Sequence, residues 1–167
     1  MTAHRGALYV AGGSDWIGSL ELRSVECLQT RGGRWEARAP LNVAQADLDL
    51  LVVQDRLFAI GVYRRDSDDK ANLRIERYDD GADSWDVLTI PCHPSWDQFH
   101  FSRPSSTTMQ NCIVILEDQY QLSIEVDEAG ELRAARMLQH VDVWVPADVY
   151  NWSAAVTVPG LPFSPRS

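Results

Sequence analysis

The stretch Leu73-Arg74-Ile75-Glu76-Arg77-Tyr78-Asp79, with Trp85 six residues beyond it, decides the fold of this 167-residue chain. A similar combination occurs earlier, where Glu26 follows an aliphatic residue 50 positions before Glu76. Trp35 and Trp85 each lie nine residues after their own glutamate. Chance seldom places a glutamate and a tryptophan in the same register twice, so the spacing indicates an internal repeat of about 50 residues.

A third, weaker copy and a further shared feature support the same period. Glu125, in the segment Leu122–Asp127, lies 49 residues after the second glutamate. Upstream of the glutamates, Ala7–Gly13 matches Arg56–Val62, and Cys112–Asp118 matches both more weakly. Several kinds of feature at one period predict a repeat architecture rather than a single irregular domain.

Each period contains short strands separated by turn residues. In the second period, Leu48–Val53 and Leu57–Ile60 are apolar runs of strand length, and the strand that carries Glu76 follows them. Asp79–Asp83 has turn composition, and Trp85 opens a fourth strand. Four antiparallel strands in about 50 residues are typical of a propeller blade.

With these residues in place, the chain resembles the kelch-repeat family, and it is most similar to the kelch domains of BTB–kelch adaptor proteins. The resemblance implies an all-β fold, a partial kelch β-propeller of about three four-stranded antiparallel blades. The segments that carry it are Gly12-Gly13, Ser24-Val25-Glu26, Arg74-Ile75-Glu76-Arg77-Tyr78-Asp79, Trp35 and Trp85.

The predicted organisation is one partial kelch domain over residues 1–167. We place blade one at 7–40, blade two at 46–91, blade three at 101–138, and an irregular segment with a closing strand at 139–167. Nothing before Ala7 is expected to supply a first strand, so a C-terminal strand at Ser153–Val158 is predicted to complete the N-terminal blade. Three blades are fewer than the four to eight of free propellers, which predicts self-association through the open blade faces.

The repeated residues are predicted to be structural. Trp35 and Trp85 should be mostly buried between blades, and Glu26, Glu76 and Glu125 should occupy equivalent positions on third strands. The third period lacks the tryptophan. Ala134 stands at that offset, and Leu132 is expected to cover part of the gap.

Composition and motifs limit the possible functions. The formal charge of -9 disfavours nucleic acid and anionic lipid as partners, and no apolar stretch is long enough to cross a bilayer. The absence of an apolar signal core and the three scattered cysteines favour a cytoplasmic location. No nucleophile elbow, phosphate loop or metal-binding spacing is present. We therefore expect a binding protein, neither an enzyme nor the holder of a metal or cofactor.

Propellers bind through the loops at their strand ends, so the candidate site residues lie in loops. The function implied by the resemblance is a protein–protein interaction module, the substrate-recognition domain of a cullin-RING ubiquitin-ligase adaptor whose BTB domain would lie elsewhere. The alternative is an actin-binding or scaffolding kelch protein, and a kelch-type enzyme is a distant third. The candidates are Ser14, Asp15 and Trp16 in one loop, Tyr63, Arg64 and Arg65 in another, and Asn42 and Gln45 in a segment that joins two blades.

Overall fold

The computed structural model describes residues 1–15, 20–29, 32–45, 47–65, 68–90, 105–117 and 120–139, without the side chains of 62–65, 68–72 and 139. The regular structure of these ranges consists of β-strands, and no helix in them is long and apolar enough to cross a membrane. The strands are β1 Thr2–His4, β2 Ala7–Ala11, β3 Val25–Gln29, β4 Trp35–Arg38, β5 Leu48–Val53, β6 Arg56–Arg65, β7 Asp68–Asp79, β8 Ser84–Leu88, β9 Ser105–Met109, β10 Cys112–Glu117, β11 Tyr120–Val126 and β12 Leu132–Gln139.

These strands form three separate four-stranded antiparallel sheets, which confirms the predicted all-β, partial-propeller fold. Each sheet joins four consecutive strands in chain order, and we call them blade 1 (β1–β4), blade 2 (β5–β8) and blade 3 (β9–β12). The first strands of successive blades contact each other, so β1, β5 and β9 form the inner side of an arc. The arc of described residues is not a closed ring.

Tight turns between the first and second strands fix the register within each blade. In blade 2 the turn residues Gln54 and Asp55 both have positive φ, 50° and 54°. Such a turn has the twist of the strands that it joins, so β5 and β6 pair directly on both sides of it. Arg5 and Gly6 do the same between β1 and β2.

The N-terminal residues correct one prediction. Thr2–His4 forms β1 and pairs with β2, so blade 1 has its own first strand. Three residues with little apolar character give a weak strand signal, and pairing with the neighbouring strand supplies the stabilisation instead. The predicted C-terminal strand at 153–158 lies outside the described residues, but the place that it was expected to fill belongs to β1.

The core lies between the blades. Side chains of β6 alternate between two apolar clusters: Leu57 and Ala59 pack toward blade 1, whereas Phe58 and Ile60 pack toward blade 3. Because successive side chains of a strand point to opposite faces, one strand can serve both junctions. All four side chains are almost completely buried, which explains why this part of β6 is a continuous apolar run in the sequence.

The glutamate repeat is correct for two blades and wrong for the third. Glu26 pairs with Val10 and Glu76 with Ala59, at equivalent places in their hairpins. In blade 3 that place is held by Leu122, opposite Ile115, while Glu125 lies three residues further along β11. The β10–β11 hairpin is much shorter than β6–β7, so a spacing of 49 residues does not preserve the register.

The missing tryptophan of blade 3 is replaced by small and aliphatic side chains. Ala135, opposite Ile124, holds the position of Trp85, one residue beyond the predicted Ala134. A bulge between Glu125 and Val126 shifts the pairing. Leu132 packs against the cluster between blades 2 and 3, as predicted for the gap left by the tryptophan.

Candidate functional site

Several candidate residues come together at one end of the blades. The described parts of the loops between second and third strands lie there, as do the linker residues 39–45 and 47, because β4 ends and β5 begins where β2 ends. Hydrogen bonds join these segments: Leu41 N–H donates to the Arg23 carbonyl oxygen and Gln45 N–H to that of Leu22. We call this the linker end.

The β2–β3 loop at this end has a firmly bonded base. Asp15 N–H donates to the Leu20 carbonyl oxygen at 2.9 Å, and Leu20 N–H donates back to Asp15 Oδ1 at 3.1 Å. Ser14 forms a β-bridge with Glu21 below them. The predicted residues Ser14 and Asp15 are thus part of the base, while Trp16 lies outside the described residues.

Leu20 is a surface residue of this loop that the sequence prediction missed. Its side chain is 61% exposed although it is aliphatic and stands on the rigid base described above. The available signal was the presence of three large apolar residues, Trp16, Ile17 and Leu20, in the loop segment 14–21, which otherwise consists of small and polar residues. An exposed apolar side chain on a rigid support is a suitable contact for a protein partner.

The second predicted loop is different from what the sequence indicated. Tyr63, Arg64 and Arg65 belong to β6, which continues to Arg65 and pairs with β7 up to Asp68. They are therefore on an extended β-hairpin rather than in a loop, because pairing persists well beyond the apolar part of the strand. The hairpin projects from blade 2 at the linker end.

The linker residues Asn42 and Gln45 serve the packing of blade 1 on blade 2. Gln45 is fully buried, and its carbonyl oxygen accepts the N–H of Gly13 at 2.9 Å, so it does not belong to an accessible binding surface. A Cβ at Gly12 would collide with the Leu48 side chain and the Gln45 carbonyl oxygen. Glycine is therefore required where the blade meets the linker.

Glu76 holds the linker from the side of blade 2. Its carboxylate is 0% exposed and accepts the backbone N–H of Asn42 at 2.8 Å and that of Val43 at 3.3 Å. The Asn42 side-chain amide donates to the same carboxylate at 2.9 Å, and Arg74 Nε donates at 3.1 Å. A buried carboxylate is stable only with donors of this kind, so Glu76 has a structural role, as predicted.

Trp85 completes the junction. It is 6% exposed, and its indole N–H donates to the Ala39 carbonyl oxygen at 3.0 Å. Its ring lies 5.0 Å from that of Tyr78, which in turn meets Tyr9 of blade 1 edge-on at 5.8 Å. The prediction that Trp85 is buried between blades is confirmed.

Trp35, by contrast, is 48% exposed, and the prediction that it is buried was wrong. It pairs with Leu28 as Trp85 pairs with Tyr78, so it occupies the same place in its blade. The difference arises because the described residues place no blade on that side of blade 1. Blade position, rather than the residue itself, decides its burial.

Asp83 adds an acid-sensitive contact to the junction. Its Oδ1 accepts the Tyr78 hydroxyl at 2.6 Å and the Ala39 N–H at 3.1 Å. The Tyr78 and Ala39 hydrogen bonds hold the pKa of Asp83 below its ordinary value. Burial, with the Asp83 carboxylate as a second cause, raises the pKa of the Tyr78 hydroxyl.

The opposite end of the blades is tied by ion pairs. Arg5 of blade 1 contacts Asp55 at 2.7 Å and Asp80 at 3.1 Å, both in blade 2. Arg77 of blade 2 pairs with Glu131 of blade 3. These charged side chains are engaged between blades and leave the linker end as the better candidate for a partner. Among the residues described, no three metal-ligating side chains gather into a group.

Comparisons with known proteins agree with this architecture. A family model for the kelch motif matches residues 1–42. Over 59 residues, 35% of this chain, the sequence is 36% identical to kelch repeat and BTB domain-containing protein 6 from Homo sapiens. It is 34% identical to kelch repeat and BTB domain-containing protein 7 from the same organism over the same length.

The matched segment covers only 9% of the length of each of these relatives. The motif match falls on blade 1, whose four strands and glycine-dependent linker contact are those expected of the repeat. Blades 2 and 3 repeat the four-stranded design in the same strand order. The chain therefore carries a kelch motif at residues 1–42 and is similar to BTB–kelch proteins over 59 residues, and its three described blades have the architecture of a partial kelch propeller.

Proposed function

We propose that this chain is a protein-interaction module that recognises its partner through the linker end, as the substrate-recognition part of a BTB–kelch ubiquitin-ligase adaptor. The observation that carries the proposal is Leu20, an aliphatic side chain 61% exposed on a hydrogen-bonded loop base. The extended β6–β7 hairpin projects from the neighbouring blade at the same end. The kelch motif at residues 1–42 favours protein binding over catalysis, and similarity to proteins with a BTB domain favours the adaptor role.

The contact surface combines an apolar anchor with polar surroundings. Asp15 and Glu21 flank Leu20, and the hairpin carries Arg64 and Arg65. Interfaces of this kind have an apolar centre and a polar rim, and arginine is enriched in them. The side-chain amide of Asn42 is hydrogen-bonded to Glu76 and is not a proposed contact. The proposed contact residues are Ser14, Asp15, Trp16, Tyr63, Arg64 and Arg65.

Affinity capture from cytoplasmic extract with the variant Leu20→Asp tests the surface. A partner that binds at the linker end should be lost, because a charge replaces the apolar anchor. Met109→Asp is the matched control, since Met109 is also exposed but ends β9 at the opposite end. Equal capture by both variants would contradict the proposal.

Two further measurements separate the adaptor role from the alternative. If the adaptor proposal holds, the full-length parent polypeptide carries a BTB domain outside these 167 residues and co-purifies with a cullin. Co-sedimentation of the chain with filamentous actin, abolished by Leu20→Asp, would instead support the actin-binding or scaffolding role.

A further inference from the structure

The face of blade 1 that points away from blade 2 repeats the residues by which blade 2 holds the linker. We call this the open face, and its residues pair across their strands as their counterparts do in blade 2. Glu26 corresponds to Glu76 and Trp35 to Trp85. The remaining members are Leu8, Val10 and Leu28, which correspond to Leu57, Ala59 and Tyr78.

The key groups of the open face have no partner within the described part of the chain. Glu26 is exposed and receives no hydrogen bond there, whereas Glu76 accepts four. The Trp35 indole is half exposed and its N–H finds no acceptor there, whereas that of Trp85 is bonded. Val10 is also exposed. The face thus presents an acceptor, a donor and an apolar patch together.

Blade 2 shows what such a set of groups binds. The segment Ala39–Val43 runs across it with one carbonyl oxygen on the indole N–H and two successive backbone N–H groups on the carboxylate. Leu41 is fully buried between these polar anchors. Pro40 favours an extended backbone in the residue before it, which suits the carbonyl contact of Ala39. The backbone bends at Asn42 and Val43, which lets both N–H groups reach the same carboxylate. The bound element is therefore a bent X-Pro-Leu-Asn-Val peptide.

We propose that the open face of blade 1 binds a bent peptide segment of a partner protein, with the pattern X-Pro-aliphatic-Asn. The Glu26 carboxylate would accept two backbone N–H groups and the asparagine amide, and the Trp35 indole N–H would donate to the carbonyl of X. The aliphatic side chain would pack on Leu28 and Val10. The negative charge of Glu26 disfavours an acidic residue at the asparagine position.

The ligand differs from the loop-binding partner proposed above, because this face and the linker end present different residues. The open face also has one contact fewer than the junction, since Gly33 holds the position of Asp83 and offers no carboxylate to the peptide. Binding in trans should accordingly be weaker than the intramolecular contact, which also benefits from the covalent connection.

The experiment uses a blocked synthetic peptide with the sequence Arg-Ala-Pro-Leu-Asn-Val-Ala, that of residues 38–44, and titrates it into the whole chain by isothermal calorimetry. We expect saturable binding that Glu26→Gln weakens at least about tenfold, because hydrogen bonds to a charged acceptor are lost. Trp35→Ala should weaken binding similarly. Both changes are at exposed positions, and circular dichroism verifies the fold.

Matched controls decide the outcome. Glu36→Gln removes an exposed glutamate from the opposite face of blade 1 and should leave the affinity unchanged. A peptide with Asp in place of Asn should bind more weakly than the parent peptide. Absence of saturable binding, or equal binding by the Glu26 and Glu36 variants, overturns the proposal.

A second copy of the chain is the competing occupant of the open face. Sedimentation of the chain that shows a dimer, dissociated by Glu26→Arg and unaffected by the peptide, would assign the face to self-association and overturn the peptide proposal. Leu20→Asp should not alter peptide binding. Failure at the linker end and failure at the open face are therefore separate results.

Discussion

The junction between blades 1 and 2 and the open face of blade 1 carry the same glutamate and tryptophan with opposite surroundings. Glu76 and Trp85 are buried and fully hydrogen-bonded, whereas Glu26 and Trp35 are exposed. In blade 2, a motif that looks like core in the sequence is thus a surface that holds the bent linker segment. It becomes core only where the preceding blade and its linker are present.

The largest difference between the two sites should appear when the tryptophans are truncated. Trp85→Ala should lower the free energy of unfolding by about 3–5 kcal/mol, because it leaves a cavity and an unpaired Ala39 carbonyl oxygen. Trp35→Ala should cost under about 1 kcal/mol, since the ring is already half in water. Urea denaturation followed by circular dichroism measures both losses of stability. Equal losses would show that the two tryptophans are buried to the same extent.

The second largest difference in stability should appear when the two glutamates are replaced by glutamine. Glu76→Gln keeps the shape of the side chain but removes the charge that accepts four hydrogen bonds, so we expect a loss of about 1–3 kcal/mol. Glu26→Gln should change stability by no more than about 0.5 kcal/mol. A destabilisation by Glu26→Gln comparable to that of Glu76→Gln would mean that the open face is covered in solution.

The smallest expected effect is acid sensitivity at the junction. The lowered pKa of Asp83 means that the unfolded chain binds a proton more readily, so its stabilisation is present above the ordinary value near 3.8 and is lost as the pH falls through the folded value. Asp83→Asn should therefore be less stable than the parent at neutral pH. This gap should narrow as the pH falls from the ordinary value through the lower pKa of the folded state.

The open face lacks this acid sensitivity, because Gly33 stands in the place of Asp83 and has no carboxylate to titrate. Thermal unfolding of Asp83→Asn and the parent chain across this pH range is the measurement. A stability gap that stays constant down to the lowest pH would show that the Asp83 contacts with Tyr78 and Ala39 do not depend on its charge.

Much of the fold was predictable because the repeated residues have strong local preferences for strands or for turns. The apolar runs Leu48–Val53 and Leu57–Ile60 and the Glu76–Trp85 spacing all predicted blade 2 correctly. β1 was missed because Thr2–His4 has no apolar alternation of its own. The extension of β6 to Arg65 was missed because polar residues gave no sign that backbone pairing continued.

The remaining errors depend on long-range structure. Glu125 was assigned from a spacing that changes with the length of the hairpin. Only the pairing of β10 with β11 identifies Leu122 as the residue of blade 3 that corresponds to Glu76. Burial of Trp35 depends on a neighbouring blade, which no local pattern reports. The role of Asn42 and the burial of Gln45 depend on contacts with Glu76 and Gly13 that only folding brings together. The predicted self-association through open faces stays a prediction.

Residue-resolved hydroxyl-radical footprinting with mass spectrometry tests most directly whether equivalent residues differ only by their neighbours. The rates of oxidation of Trp35 and Trp85 would be compared in the native chain across a dilution series, with urea-unfolded chain as reference. We expect Trp85 to be strongly protected and Trp35 to react at close to half its unfolded rate or faster at the lowest concentration. Equal protection of both tryptophans at every dilution would contradict it.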